Sequence, residues 1–200
     1  MIDAENILRN FYDPDSSLYT ILLTHSRMVA DKALATAKKI PELAPDLRFI
    51  EEAALLHDIG IIRTRTPKLG CHGHHPYVHH GFLGRDMLES MGLHRHGLVA
   101  ERHTGTGFTR EEILERDLGL PARDMVPVSL EEEIVCYADK FFSKNHGELT
   151  REKTMAEVLS YLSKFGEKQV QTFTSWARRA RASPMAVASI TFRSLVITSR

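Results

Sequence analysis

The chain is predicted to be an all-α helical bundle, on three observations. Apolar residues recur three and four positions apart along several long segments, as on a helix with one buried face. Proline and glycine separate these segments at intervals that suit helix lengths. No stretch alternates apolar and polar residues for long enough to make a sheet.

Asp3–Phe11 reads as a short helix, and Asp13-Pro14-Asp15-Ser16 as a turn and cap. Ser17–Ile40 is a long amphipathic helix with Leu18, Leu22, His25 and Val29 on one stripe, ended by Pro41. Pro45-Asp46 opens a helix whose buried stripe is Leu47, Ile50 and Ala54. One more turn of that stripe lands on His57 and Asp58, and Gly60 reads as the helix stop. Ile61–Pro76 has no steady period and holds Pro67, Gly70 and Gly73, so it reads as a long loop of the kind that often serves function.

Helical spacing returns over Tyr77–Met91 and Leu93–His103, before Gly105 and Gly107 break it. Thr109 is an N-cap with Glu112 at the capping-box position, opening a helix to about Asp117. Gly119-Leu120-Pro121-Ala122 is a connector, and Leu130–Lys144 is strongly helical. Thr154–Phe165 and Glu167–Arg181 make two more helices, the second broken by Pro184. The tail Ala186–Arg200 fits neither period cleanly and is read as helix. Residues 1–150 are expected to form the main domain and 151–200 a helical extension packed on it.

Acidic and basic residues balance at 26 each, so no global field argues for nucleic acid or an acidic membrane. The basic run with Arg178, Arg179 and Arg181 reads as a solvated helix face. Two cysteines, Cys71 and Cys136, do not make a disulfide framework. Asp3 and Glu5 near the start argue against a signal peptide, and no apolar run approaches membrane-spanning length. A soluble cytoplasmic protein is the expectation, and a homodimer stays open. The unusual count is 11 histidines, most of them between His57 and His103.

A His-Asp dipeptide on an apolar stripe is, taken alone, better read as a core histidine bonded to aspartate. The oddity repeats, however. His25 sits on the Leu18-Leu22-Val29 stripe, Asp139 sits among Val135, Ala138 and Phe142, and His103 follows Val99 at i+4. Desolvating an aspartate is costly without a partner. Convergence on a metal ion explains all of these buried polar residues at once. If Asp58 and Asp139 faced each other in a dry core without one, their like charges would raise each other's pKa.

His25, then His57-Asp58-Ile59-Gly60, then Asp139 resemble the ordered ligands of HD-domain metal-dependent phosphohydrolases. His80-Gly81-Phe82-Leu83-Gly84 and Arg102-His103-Thr104-Gly105 resemble the extra histidine motifs of the two-metal branch. The run from Arg102 to Asp139 is similar to an uncharacterised HDIG subgroup. The resemblance spans roughly Leu18 to Lys144 and implies a helical bundle with the site in its middle. It implies that His25, His57, Asp58 and Asp139 hold one metal, and that Asp58 bridges to a second held by His80 and His103. Iron, manganese, zinc, nickel, cobalt or magnesium would each suit such ligands, two ions per chain.

The implied activity is hydrolysis of a nucleotide or another small phosphate ester, with a hydroxide bridging the two metals as nucleophile. Relatives cut deoxynucleotides, cyclic nucleotides and diadenosine tetraphosphate. Many carry a lysine directly after the His-Asp-Ile-Gly motif, where this chain has Ile61 and Ile62 followed by Arg63 and Arg65. Arg63, Arg65 or Lys140 would then supply charge to the phosphate. Two other readings stay open. The same ligands resemble the mixed-valence di-iron site of HD-type oxygenases, and a non-catalytic nucleotide-sensing module would also keep the fold.

The cluster Cys71, His72, His74 and His75 is too tight and irregular for a structural zinc site. It reads as a loop over the active-site mouth, with His72 or His75 reaching substrate. His79 and His80 are neighbours, so on a helix they lie about 100° apart and cannot share a face. Counting back from Leu83 and Gly84 puts His80 on the buried stripe, while His79 leads to Phe82, Asp86 and Ser90, a flank that drifts toward solvent.

Overall fold

The structure is a computed structural model that describes residues 2–145 and 147–180. Its helices are α1 (Ala4–Arg9), α2 (Ser17–Ala37), α3 (Leu47–Leu56), α4 (His80–Glu89), α5 (His94–Arg102), α6 (Arg110–Glu115), α7 (Leu130–Asp139), α8 (Met155–Leu162) and α9 (Glu167–Arg179). The all-α expectation holds, with one addition. Inside the expected loop, β1 (Arg65–Thr66) pairs antiparallel with β2 (Cys71–His72), a hairpin too short to show a period. The tail read as helix, Ala186–Arg200, lies outside the described residues, as do Arg181 and Pro184.

The helices start where local chemistry can satisfy their free N–H groups. Ser16 accepts from the Tyr19 N–H at α2, Asp46 from Phe49 at α3 and Ser129 from Glu132 at α7. Capping boxes open α6 (Thr109 with Glu112) and α8 (Thr154 with Glu157).

Of three hydrophobic clusters among the described residues, the two larger ones hold the helices around the site. One joins Val29, Ala33, Phe49, Ile50 and Val135 to Phe173 and Trp176 of α9. The other joins Leu8, Tyr12, Leu22, Leu56, Ile59 and Met87. On α2, His25 falls between Leu22 of the second cluster and Val29 of the first, so its imidazole points into the junction of the two. Residues 151–180 share this packing. Phe173 stacks on Tyr137 at 5.0 Å, and Gln169 accepts from both the N–H and the hydroxyl of Thr106.

The expected helix stop at Gly60 is not there. α3 ends at Leu56, Asp58 already leaves helical geometry at φ −101° and ψ 8°, and Ile59–Arg63 continues as a 3-10 helix. Gly60 serves packing instead. A Cβ there would sit 2.1 Å from the His80 carbonyl oxygen and 2.4 Å from the Gly84 nitrogen, so only glycine lets this turn lie against the start of α4. Gly84 meets the same contact from the other side, with its would-be Cβ 3.2 Å from the Gly60 nitrogen. Tyr12 holds the turn from beneath: its hydroxyl donates to the Ile59 carbonyl at 2.6 Å and accepts from the Ile62 N–H at 3.0 Å.

Candidate metal centre

Five helices deliver six polar side chains to one buried point. His25 comes from the middle of α2, His57 caps α3 and Asp58 follows it, His80 begins α4, His103 caps α5, and Asp139 ends α7. All six are buried. They form two groups that share Asp58: His25, His57, Asp58 and Asp139, and Asp58, His80 and His103.

The ligand atoms are spaced as a cation would hold them. In the first group, His25 Nε2 lies 3.3 Å from His57 Nε2, 3.3 Å from Asp58 Oδ2 and 3.0 Å from Asp139 Oδ1. His57 Nε2 lies 3.1 Å from Asp58 Oδ2 and 3.5 Å from Asp139 Oδ1. In the second, His80 Nε2 lies 3.0 Å from His103 Nε2, and the two lie 3.3 and 3.4 Å from Asp58 Oδ1. Neighbouring ligands at about 2.1 Å from a common ion sit about 3.0–3.4 Å apart. Asp58 thus turns one oxygen to each group, as a bridging carboxylate does.

The proton positions make the same case. His57 Nδ1 donates to the Ala54 carbonyl, His80 Nδ1 to Tyr77 and His103 Nδ1 to Ala100, each at 2.7 Å. Each bond reaches back three residues, so the end of the local helical turn sets the tautomer. In the neutral rings the three Nε2 lone pairs are then bare and face inward, where they can bond only to a cation or a donor. Asp58 is fully buried, and neither of its oxygens meets a donor in good hydrogen-bond geometry. The residues present therefore fit bound metal.

The electrostatics seek positive charge. Burial works against charge on His57, yet Asp58 and Asp139 outweigh it and pull its pKa up to about 9. Burial and the neighbouring His103 push His80 down to about 3, which keeps it a neutral ligand. The net shift of Asp58 and Asp139 is downward rather than the expected rise. Burial does push both up, but His57 and Lys144 hold Asp58 well below the usual carboxylate range, and Lys140 and Lys144 do the same for Asp139.

Lys140 Nζ bonds Asp139 Oδ2 and, at 2.9 Å, the His103 carbonyl, so it braces two ligand residues. Arg63 and Arg65 lie on the segment just after Asp58. Both are exposed, and neither side chain has an ion pair or hydrogen bond among the described residues. His72, exposed on β2, stands opposite Arg65, and His75 is exposed with its ring 5.9 Å from that of His79. None of these four joins the ligand groups.

His80 is a member of the second group and His79 is not, as the spacing requires. His79 does not drift toward solvent, however. It is 9% exposed, because the connector after α6 folds back over it: His79 Nε2 lies 3.2 Å from the Leu118 carbonyl, beside Gly119.

Two neighbours of the centre were missed. Tyr77 stacks on the His80 ring at 4.7 Å, and Lys144 Nζ lies 2.6 Å from Asp58 Oδ2. Reading Leu130–Lys144 as one helix places Lys144 about 140° around the axis from Asp139, on another face. The helix in fact ends at Asp139, and the chain then turns back to the site.

The HD domain family matches residues 22–143, which include all six residues of the two groups. An uncharacterized protein of Methanocaldococcus jannaschii is 40% identical over 121 residues, 59% of this chain and 64% of that protein. Two proteins named tRNA (cytidine(56)-2'-O)-methyltransferase are also similar. That of Picrophilus torridus is 36% identical over 124 residues, 62% of this chain and 32% of that protein. That of Thermoplasma volcanium is 34% identical over 142 residues, 70% of this chain and 37% of that protein. The match thus spans under two thirds of the first relative's length and about a third of the other two. No solved structure matches the chain. With ligand geometry and family match over the same residues, the chain belongs to the HD-domain family.

Proposed function

We propose that the chain is a metal-dependent phosphohydrolase with a two-metal centre, acting on a nucleotide or another small phosphate ester. The observation that carries this reading is the division of Asp58, with Oδ2 toward His25 and His57 and Oδ1 toward His80 and His103. Metal ions held by these two groups would supply Lewis acidity to a phosphate and would lower the pKa of a water nucleophile. In the reaction the water oxygen bonds phosphorus, the ester P–O bond breaks, and the leaving oxygen takes up a proton.

The chain's own groups set the stage for this. Three backbone carbonyls orient His57, His80 and His103, and Lys140 braces Asp139 and the His103 carbonyl. Arg63 and Arg65, which have no partners among the described residues, would meet outlying phosphate oxygens, with His72 and His75 at the rim. Methyl transfer is not carried over from the two relatives named for it, because the likeness covers about a third of each.

Elemental analysis of protein purified without chelator, followed by a phosphatase screen over nucleotides, tests the reading. About two metal equivalents and phosphate release are expected, and Asp58→Ala should abolish turnover by removing bridge and charge together. Substantial phosphate release by Asp58→Ala would remove Asp58 from the mechanism. Substrate-dependent oxygen uptake by an iron-loaded form would replace the hydrolase reading with an oxygenase.

A further inference from the structure

We propose that Lys144 is the anchor for the substrate's phosphate oxygens, and that its ammonium neutralises Asp58 until metal binds. This rests on the two-metal reading above. Lys144 Nζ lies 2.6 Å from Asp58 Oδ2, the same oxygen that lies 3.3 Å from His25 Nε2 and 3.1 Å from His57 Nε2. An ammonium and a cation in the first ligand group therefore compete for one oxygen. A metal ion about 2.1 Å from that oxygen would stand within a few ångströms of the ammonium, where like charges repel strongly in a buried site.

The ammonium has one way to move. His25, His57 and Asp58 are fully buried behind it, whereas the Lys144 side chain is 15% exposed. Asp139 and Tyr77 also lie near the ammonium, and Tyr77 is 38% exposed. Lys144 also lies beyond the end of α7, where no helix fixes its backbone. Displaced by metal, it comes to rest at the mouth of the centre, a long-stemmed point charge with three donors and no carboxylate.

The other nearby cations are placed differently. Lys140 is held by Asp139 and the His103 carbonyl. Arg63 and Arg65 are on the exposed segment after Asp58. Lys144 is thus the cation that metal binding itself releases, at the point where a metal-bound phosphate would need its remaining oxygens neutralised.

The test uses the full chain, Mn2+ and inorganic phosphate, and compares wild type with Lys144→Gln. Phosphate binding to the Mn2+-loaded variant should weaken roughly tenfold to hundredfold, the worth of one charge-assisted hydrogen bond, at unchanged metal content. Mn2+ should bind the variant more tightly, because the competing ammonium is gone. Amine acetylation of wild type, read at Lys144 by mass spectrometry, needs no variant. Labelling should rise several-fold on Mn2+ loading and fall again with phosphate. Unchanged phosphate affinity in fully loaded Lys144→Gln overturns the anchor. Mn2+-independent labelling of Lys144, or unchanged Mn2+ affinity in the variant, overturns the exchange. A wild type that takes up no Mn2+ fails the two-metal reading itself, which the elemental analysis shows separately.

Discussion

His80 Nε2 and His103 Nε2 face each other across 3.0 Å, and each ring spends its Nδ1 proton on a backbone carbonyl three residues back. Two bare lone pairs so close repel unless a positive group lies against both. The pair makes two members of a three-residue group that could hold a metal ion, and Asp58 Oδ1, at 3.3 and 3.4 Å, is the third.

Removing one nitrogen should remove one ion. His80→Ala is expected to lower metal stoichiometry by about one per chain, while His79→Ala leaves it intact. Because His79 is buried against Leu118, His79→Ala should still lose about 1–3 kcal/mol of stability. Elemental analysis and denaturant unfolding on both variants separate the effects. Metal loss in His79→Ala with retention in His80→Ala would contradict the assignment.

Chelation should lower the melting temperature without unfolding the chain outright. A ligand at a hundred times its Kd adds about 2.7 kcal/mol, or roughly 5–10 °C for a domain of this size. Lys144 and Lys140 already compensate the two carboxylates, so the metal-free fold survives. An unchanged melting curve with metal loss confirmed would argue against a buried centre.

Gly60→Ala should cost stability and metal together. Its methyl would meet the His80 carbonyl at 2.1 Å, and the Ile59–Arg63 turn and α4 would have to part. Overpacking of this kind costs about 1–3 kcal/mol or more. The movement would separate Asp58 from His80, so second-site metal occupancy should fall as well. Normal stoichiometry in a stably folded Gly60→Ala would show that the contact does not set the site.

Away from the centre, His96 gives a pH dependence of known sign. It packs edge-on against Phe49 at 4.9 Å and lies 3.3 Å from Glu52. Burial lowers its pKa, and Glu52 restores only part of the shift. The unfolded chain, with a histidine near about 6.5, then takes up the proton first. The contribution of His96 is present above that pH and lost as pH falls through it. Metal-loaded wild type should lose melting temperature between pH 7.5 and 5.5 more steeply than His96→Gln. Parallel slopes would remove His96 from the balance.

Residue type and helical phase singled out His25, His57, Asp58, His103 and Asp139 as buried polar residues, and the resemblance to the HD-domain family supplied the full candidate set with His80. A histidine or aspartate on an apolar stripe is visible within one or two turns, as with His25 between Leu22 and Val29, and the His80 and His103 segments repeat it. The all-α class follows from the same local period, and the capping boxes at Thr109 and Thr154 from neighbours three residues apart.

Tertiary structure decided what depends on where helices stop and what folds over them. Asp139 reaches His25 across 114 positions of chain, and no local period reports such a meeting. Gly60 proved to be a packing contact with α4 rather than a helix stop, because the residue it must clear is 20 or more positions away. His79 is covered by the Leu118–Gly119 connector. Lys144 reaches Asp58 only because α7 ends at Asp139, one turn earlier than its apolar pattern suggests. The sequence, with the family resemblance it carries, singled out the side chains that could bind metal, because residue type and helical phase are local properties. Only the packed chain decided which cation stands beside them, because that depends on the path of the backbone after the helix ends.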